Sequence, residues 1–322
     1  MMLETSVAVD PALIEEVRTG LQLMPKRLSS RFFYDAEGSR IFQAIMHAPE
    51  YYLTRSEYEI LDTYKDDLLR LFAPADRPFE LVELGAGDGL KTKLLLGHFH
   101  DAQADFAYVP VDISADALTG LVTDINRQWP DLRIRSRHDD YFNALEQLSD
   151  ESDARRVVLF LGSNIGNFTP GDAVDFYGQL YDRLQPGDLV LTGFDLQKHP
   201  SIIHAAYNDQ AGLTRDFNLN LLRRINRDLD ANFDLDTFSH YETYNPENGE
   251  ARSYLVSEKK QTVQIAELNM AVSFEPGEII HTEISRKFTR AQIDDLAHRT
   301  GFSVTGWFTD ANGYFADVVF ER

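Results

Sequence analysis

Apolar positions along this chain follow two periods, and the changes between them mark out its elements. Over residues 11–24, Leu13, Ile14, Val17, Leu21 and Met24 recur on one helical face. The segment "TRSEYEILDTYKDDLLRLF" repeats that spacing with Ile60, Leu61, Tyr64, Leu68 and Leu71. It opens with Thr54 and Glu57, spaced as a capping box. Short apolar runs then follow at 79–84, 107–114, 132–136, 156–163 and 188–196, each of strand length, with helical patterns between them. The clearest of these helices covers 170–184. Thr169 is placed to cap it, Pro170 suits its first position, and Val174, Tyr177, Leu180 and Leu184 line one face. Apolar strands alternating with helices predict a parallel, doubly wound sheet.

That alternation stops at 197. A helical stretch around 205–228 is followed by alternating strand-like segments, with turn signals in "NPENG" and "EPGE". Regular architecture resumes where Thr289 and Gln292, a second capping box, open a helix that ends at Gly301. Strands at 302–308 and 314–320, joined by "TDANG", close the chain as a hairpin.

The glycine-rich turn in "FELVELGAGDGLKT" follows the first strand of this sheet, where nucleotide-like ligands bind. A dinucleotide fingerprint requires a third glycine where this chain has Leu90; here the glycines stand at Gly85, Gly87 and Gly89, preceded by Glu83. That spacing favours S-adenosylmethionine (SAM) over a nicotinamide dinucleotide. The closing helix and antiparallel hairpin point the same way, since dehydrogenase sheets end in a parallel strand. Asp112, at the end of the second strand, is placed to accept from ribose hydroxyls. Asp140 is placed for the adenine amino group and Tyr141 to cover the ring. "LGSNIGNF" sets polar groups at the end of the fourth strand. Taken singly, Asp112 and Asp140 read equally well as turn and cap residues. The fold expected is therefore α/β: a Rossmann-like SAM methyltransferase sheet, parallel with an antiparallel C-terminal hairpin, over 57–196 and 287–322. A second, α+β substrate-binding domain is expected over 1–56 and 197–286.

Composition narrows the chemistry. The net charge of −21 argues against nucleic acid as a partner, because phosphate recognition needs clustered Lys and Arg. With no cysteine, thiol catalysis, disulfides and thiolate metal sites are excluded. His47, His199 and His204 lack metal-ligand spacing and read as ordinary histidines, so no metal is expected. No window approaches 18 uninterrupted apolar residues, and the N-terminus lacks the basic start and apolar run of a signal peptide. The expectation is a cytoplasmic monomer that acts on a small molecule, with no membrane partner.

The motifs "FFYDAEGSRIF", "PEYYLTRSEYEIL", "VELGAGDGLKT", "FLGSNIGNFTP" and "HTEISRKF" closely resemble the histidine-specific SAM-dependent methyltransferases of ergothioneine biosynthesis. The resemblance covers nearly the whole chain, from about Leu28 to the C-terminus. It implies methylation of the α-amine of histidine, up to the trimethyl betaine. Tyr34, Gly85, Lys91, Asp112, Asp140 and Tyr141 would contact SAM or flank its methyl, beside Gly87 of the glycine turn. Asn167 and Tyr207 would hold the substrate carboxylate. Tyr51, Glu283 and Ser285 would surround the imidazole, and Phe42 would lie near the substrate nitrogen with Tyr34. Ser253 stands where the histidine enzymes carry a methionine near the side chain, and Tyr141 where some members carry phenylalanine. Two other readings stay open at this point: a paralogue that methylates another amino acid or aromatic amine, and a SAM-binding module without catalysis.

Overall fold

The computed structural model describes residues 10–73 and 77–322. The stretch that weighs against a signal peptide lies in part outside them. The chain divides into two compact units, Leu53–Gln197 with Arg286–Arg322, and Met1–Tyr52 with Lys198–Ser285. The first boundary had been expected at 57. Helix Leu53–Phe72 starts earlier and carries the preceding residues into the larger unit.

The larger unit is built on a seven-stranded sheet. Its strands are β1 (Phe79–Leu84), β2 (Phe106–Asp112), β3 (Arg137–His138), β4 (Arg155–Phe160), β5 (Leu189–Asp195), β6 (Ser303–Thr309) and β7 (Phe315–Glu321). They lie in the order β6-β7-β5-β4-β1-β2-β3. Strands β1 to β5 pair in parallel, and β7 runs antiparallel between β5 and β6. This is the Rossmann-like sheet with a closing hairpin that the apolar pattern predicts. Every residue of β1 is buried, because helices cover both faces of the sheet. Val82, Val109, Val158 and Phe160 pack into one face cluster, and Leu81, Tyr108, Leu159 and Leu191 into the other.

Local chemistry explains the helix ends. Thr169 accepts the Asp172 N–H, and Asp172 answers at the Thr169 backbone, with Pro170 in the first turn. Thr289 and Gln292 form the second capping box, and Gly301 ends that helix at φ +85°.

Three expectations change. The third strand, read at 132–136, is only a bridge between Tyr108 and Ile134 followed by the two-residue β3. It lies at the sheet edge, where Arg133 pairs with Asp105 and Arg135 reaches back to the buried Glu80 of β1. The fourth strand stops at Phe160, because Gly162 and Ser163 both take positive φ. The Thr54–Glu57 capping box does not form. Both residues lie inside the helix, and Glu57 is fully buried with other partners.

In the smaller unit, the helical stretch expected at 205–228 is two helices, Pro200–Tyr207 and Leu213–Leu229. Asp209 ends the break between them by accepting the N–H groups of Leu213 and Thr214 at 2.8 Å. A four-stranded sheet orders Lys26–Arg27, Ile279–Arg286, Glu250–Ser257 and Phe238–Asn245. A separate hairpin pairs Gln261–Ile265 with Met270–Phe274.

Candidate active site

In the larger unit the glycine turn joins β1 to helix Thr92–Asp101. Gly85, Gly87 and Gly89 all have positive φ, between 52° and 73°, which side chains with a Cβ rarely adopt. A Cβ on Gly85 would stand 2.8 Å from the Tyr141 hydroxyl, whereas one on Gly87 would meet nothing within 4 Å. The turn is thus packed against Tyr141 at one end and open at its middle. Asp112 holds it from the neighbouring strand: one carboxylate oxygen accepts the Gly87 N–H at 3.1 Å and the other the Ser114 N–H at 2.9 Å.

Below the turn lies Glu83, which is buried and accepts from the Thr92 and Tyr108 hydroxyls. Burial pushes its carboxyl up to about 7, against the pull of those two hydrogen bonds. Burial and the charge of Asp112 push the Tyr141 phenol up to about 12, so it stays a neutral donor. Asp140 caps helix Tyr141–Glu151, taking the N–H groups of Phe142 and Asn143. Its cap role is therefore real, and it fixes where Tyr141 begins.

Lys91 pairs with Glu57, whose two oxygens also accept the Gly162 N–H at 2.8 and 3.0 Å. Glu57 was missed as a site residue because its spacing from Thr54 mimics a cap. Asn167 sits exposed at the end of the turn Asn164–Asn167, which follows β4.

The smaller unit gathers the other candidates. Asp35 caps helix Ala36–Met46 through the Gly38 N–H at 2.8 Å and accepts from Asn220 and Arg227 of helix Leu213–Leu229. Those bonds lock the two helices together and set Tyr34 and Phe42 in one aromatic group. Tyr34 lies 5.4 Å from Phe42 between ring centroids, and Phe42 lies 6.2 Å from Tyr51. Tyr51 in turn stands 6.4 Å from Tyr207. Phe217 completes the group at 5.5 Å from Tyr34 and 5.7 Å from Phe42. Nothing in its helical spacing separates Phe217 from an ordinary core residue.

Polar groups adjoin these rings. The Tyr207 hydroxyl is 2.7 Å from Ser285 Oγ. Ser253 Oγ lies 3.2 Å from Glu283 and 3.1 Å from Glu242, its register partner on the next strand. Half of the Tyr34 side chain is open to solvent, yet surrounding protein and the Glu283 charge raise its phenol. A phenol so raised donates hydrogen bonds and does not act as a base near neutral pH.

The sequence of the chain is similar to those of known proteins. A family model described as "Histidine-specific methyltransferase, SAM-dependent" matches residues 13–322. A histidine N-alpha-methyltransferase of Mycolicibacterium smegmatis is 39% identical over 94% of this chain and 93% of its own. One from Mycobacterium tuberculosis is 36% identical over the same shares. The ergothioneine biosynthesis protein 1 of Schizosaccharomyces pombe is 27% identical, with 92% of this chain matching 39% of that longer protein.

Proposed function

The chain belongs to the SAM-dependent, histidine-specific methyltransferase family, and from that premise we propose how its residues divide the work. The enzyme transfers methyl groups from SAM to the α-amino nitrogen of histidine, consistent with trimethylation towards ergothioneine. SAM, when bound, supplies an electrophilic methyl on a sulfonium centre.

The cofactor falls to the larger unit. The open middle of the glycine turn admits the amino-acid part of the cofactor, with Gly85 and Gly87 approaching through backbone. Lys91 has three donors, and its pair with Glu57 leaves others for the cofactor's carboxylate. Asp112 takes the ribose, Asp140 the adenine amino group, and Tyr141 covers the ring.

The substrate falls mainly to residues of the smaller unit. The observation that carries this reading is the polar set Tyr207–Ser285 and Ser253–Glu283 beside the rings of Tyr34, Phe42 and Tyr51. Glu283 and Ser285 pair with the imidazole nitrogens, next to Tyr51, while Tyr207 binds the carboxylate. Ser253, in place of an apolar methionine, turns its hydroxyl to Glu283 and so strengthens the polar end. A tryptophan-like hydrocarbon face there would offer Glu283 and Ser285 no second ring nitrogen to pair with, which disfavours it relative to imidazole. Phe42 and Tyr34 face the nitrogen, and their ring faces stabilise the cation that builds as methyls accumulate. The neutral Tyr34 phenol orients the amine by hydrogen bonding.

Among the described residues no helix is long and apolar enough to cross a membrane. A monomer acting in the cytoplasm is part of the same proposal. Incubation with SAM and a panel of amino acids, read by mass spectrometry, tests it. Methylated histidine is expected, and turnover of tryptophan or tyrosine without histidine would overturn the substrate reading.

A further inference from the structure

One buried group in the larger unit has no place in the chemistry above. Asp317 is fully buried in β7, and neither carboxylate oxygen has a hydrogen-bond partner among the described residues. An ionised carboxylate in that position is costly, so its neutral form is favoured.

Its neighbours give it a role. Asp317 stands directly opposite Gly193 of β5, and opposed residues of an antiparallel pair point to the same face. A Cβ on Gly193 would lie 2.2 Å from Glu57 Oε1, so the missing side chain is the space that the Glu57 carboxylate fills. Glu57 and Asp317 are therefore adjacent acids on one face of the sheet. Glu57 binds Lys91, and a Cβ on Gly162 would stand 3.4 Å from Lys91 Nζ. Burial raises the Asp317 carboxyl most, Glu57 adds to it, and Lys91 opposes them. Glu83 is a third acid that feels the charges of Lys91 and Glu57. Its other cross-strand neighbour, Phe308, is uncharged.

We propose that Glu57 is a positioning residue for Lys91 in cofactor binding, and that a neutral Asp317, buried beside Glu57, leaves the Glu57–Lys91 pair undisturbed. With Asp317 ionised, a further carboxylate beside Glu57 would compete for the Lys91 ammonium and draw it away from the cofactor's carboxylate. SAM affinity then falls as pH rises through the ionisation of Asp317. The inference rests on the reading that Lys91 meets the cofactor.

The test is calorimetric binding of S-adenosylhomocysteine, which carries the same carboxylate, by the full chain from about pH 6.5 to about pH 9.5. Lys91→Met is expected to lose ~tenfold or more in affinity; if it loses none, the placement of Lys91 fails, and with it the proposal. Given that loss, Glu57→Gln is expected to bind ~tenfold more weakly, raising KM for SAM while leaving KM for histidine unchanged. Asp317→Asn is expected to lose less affinity than the parent as pH rises, the Glu83 carboxyl titrating alike in both. Parent-like cofactor binding by Glu57→Gln overturns the positioning role. Identical pH curves for the parent and Asp317→Asn overturn the role of the buried proton. Should Glu57→Gln fail to fold, the Asp317→Asn comparison decides.

Discussion

Ser253 Oγ lies 3.2 Å from the Glu283 carboxylate and 3.1 Å from that of Glu242. A hydroxyl has one proton to donate, so the two acids compete for it, and whichever receives it is held in place. Glu283→Ala removes the acid proposed to read the imidazole. Its KM for histidine should rise ~100-fold or more, with cofactor affinity unchanged. Steady-state kinetics with each substrate varied in turn separates the two. Equal loss for both would make Glu283 a structural residue.

Ser253→Ala removes only the bond that orients Glu283. A rise in histidine KM of ~3–10-fold is expected, consistent with one hydrogen bond of about 1 kcal/mol. No change would mean that Glu283 holds its orientation without Ser253.

Gly85→Ala places a Cβ 2.8 Å from the Tyr141 hydroxyl at a φ of +73°. The left-handed backbone and the close contact together cost of order 1–3 kcal/mol. Thermal unfolding should register a lower Tm, and cofactor affinity should drop alongside it. A variant with parental Tm and affinity would show that the turn has room to shift.

Glu83 gives the fold a pH dependence. Its folded carboxyl is pushed up to about 7 by burial from the usual 4.5, so the folded chain keeps a proton that the unfolded chain releases. Stability from this group is fully present at acid pH and is lost as pH climbs from about 4.5 through about 7, by up to ~3 kcal/mol. Glu83→Gln should flatten that decline. Melting curves of parent and variant that run parallel across this window would refute it.

Tyr34, with its phenol raised by the protein around its hydroxyl and by Glu283, should remain neutral throughout the working range. The kcat–pH profile of Tyr34→Phe is therefore expected to keep the parental shape up to about pH 10, whatever its height. Loss of an alkaline-side rise in the variant would make Tyr34 a proton acceptor.

Local periodicity carried most of the larger unit. The apolar runs, the Thr169 and Thr289 caps and the closing hairpin all appear where short-range rules put them, because β1, β2, β4 and β5 are buried on both faces. Those rules failed at the sheet edge. The run at 132–136 has strand character, but only one bridge forms there, since an edge position is decided by available partners. They also failed at Asn208–Gly212, where Asp209 caps a new helix inside an apolar-periodic stretch.

The site divides along the same line. The sequence alone determined the cofactor class, because the spacing of Gly85, Gly87 and Gly89 is a local property of a few backbone angles. With the family motifs it also named Tyr51, Asn167, Tyr207, Glu283 and Ser285 as candidates. Only the tertiary structure decided that Glu57 serves Lys91 and Gly162, that Phe217 joins Tyr34 and Phe42, and that Glu242 and Glu283 share Ser253. The physical reason is sequence separation. Apart from the hairpin pair Glu242–Ser253, these contacts join residues far apart along the chain, and no local period records which distant side chain will fill the space beside a glycine or a strand.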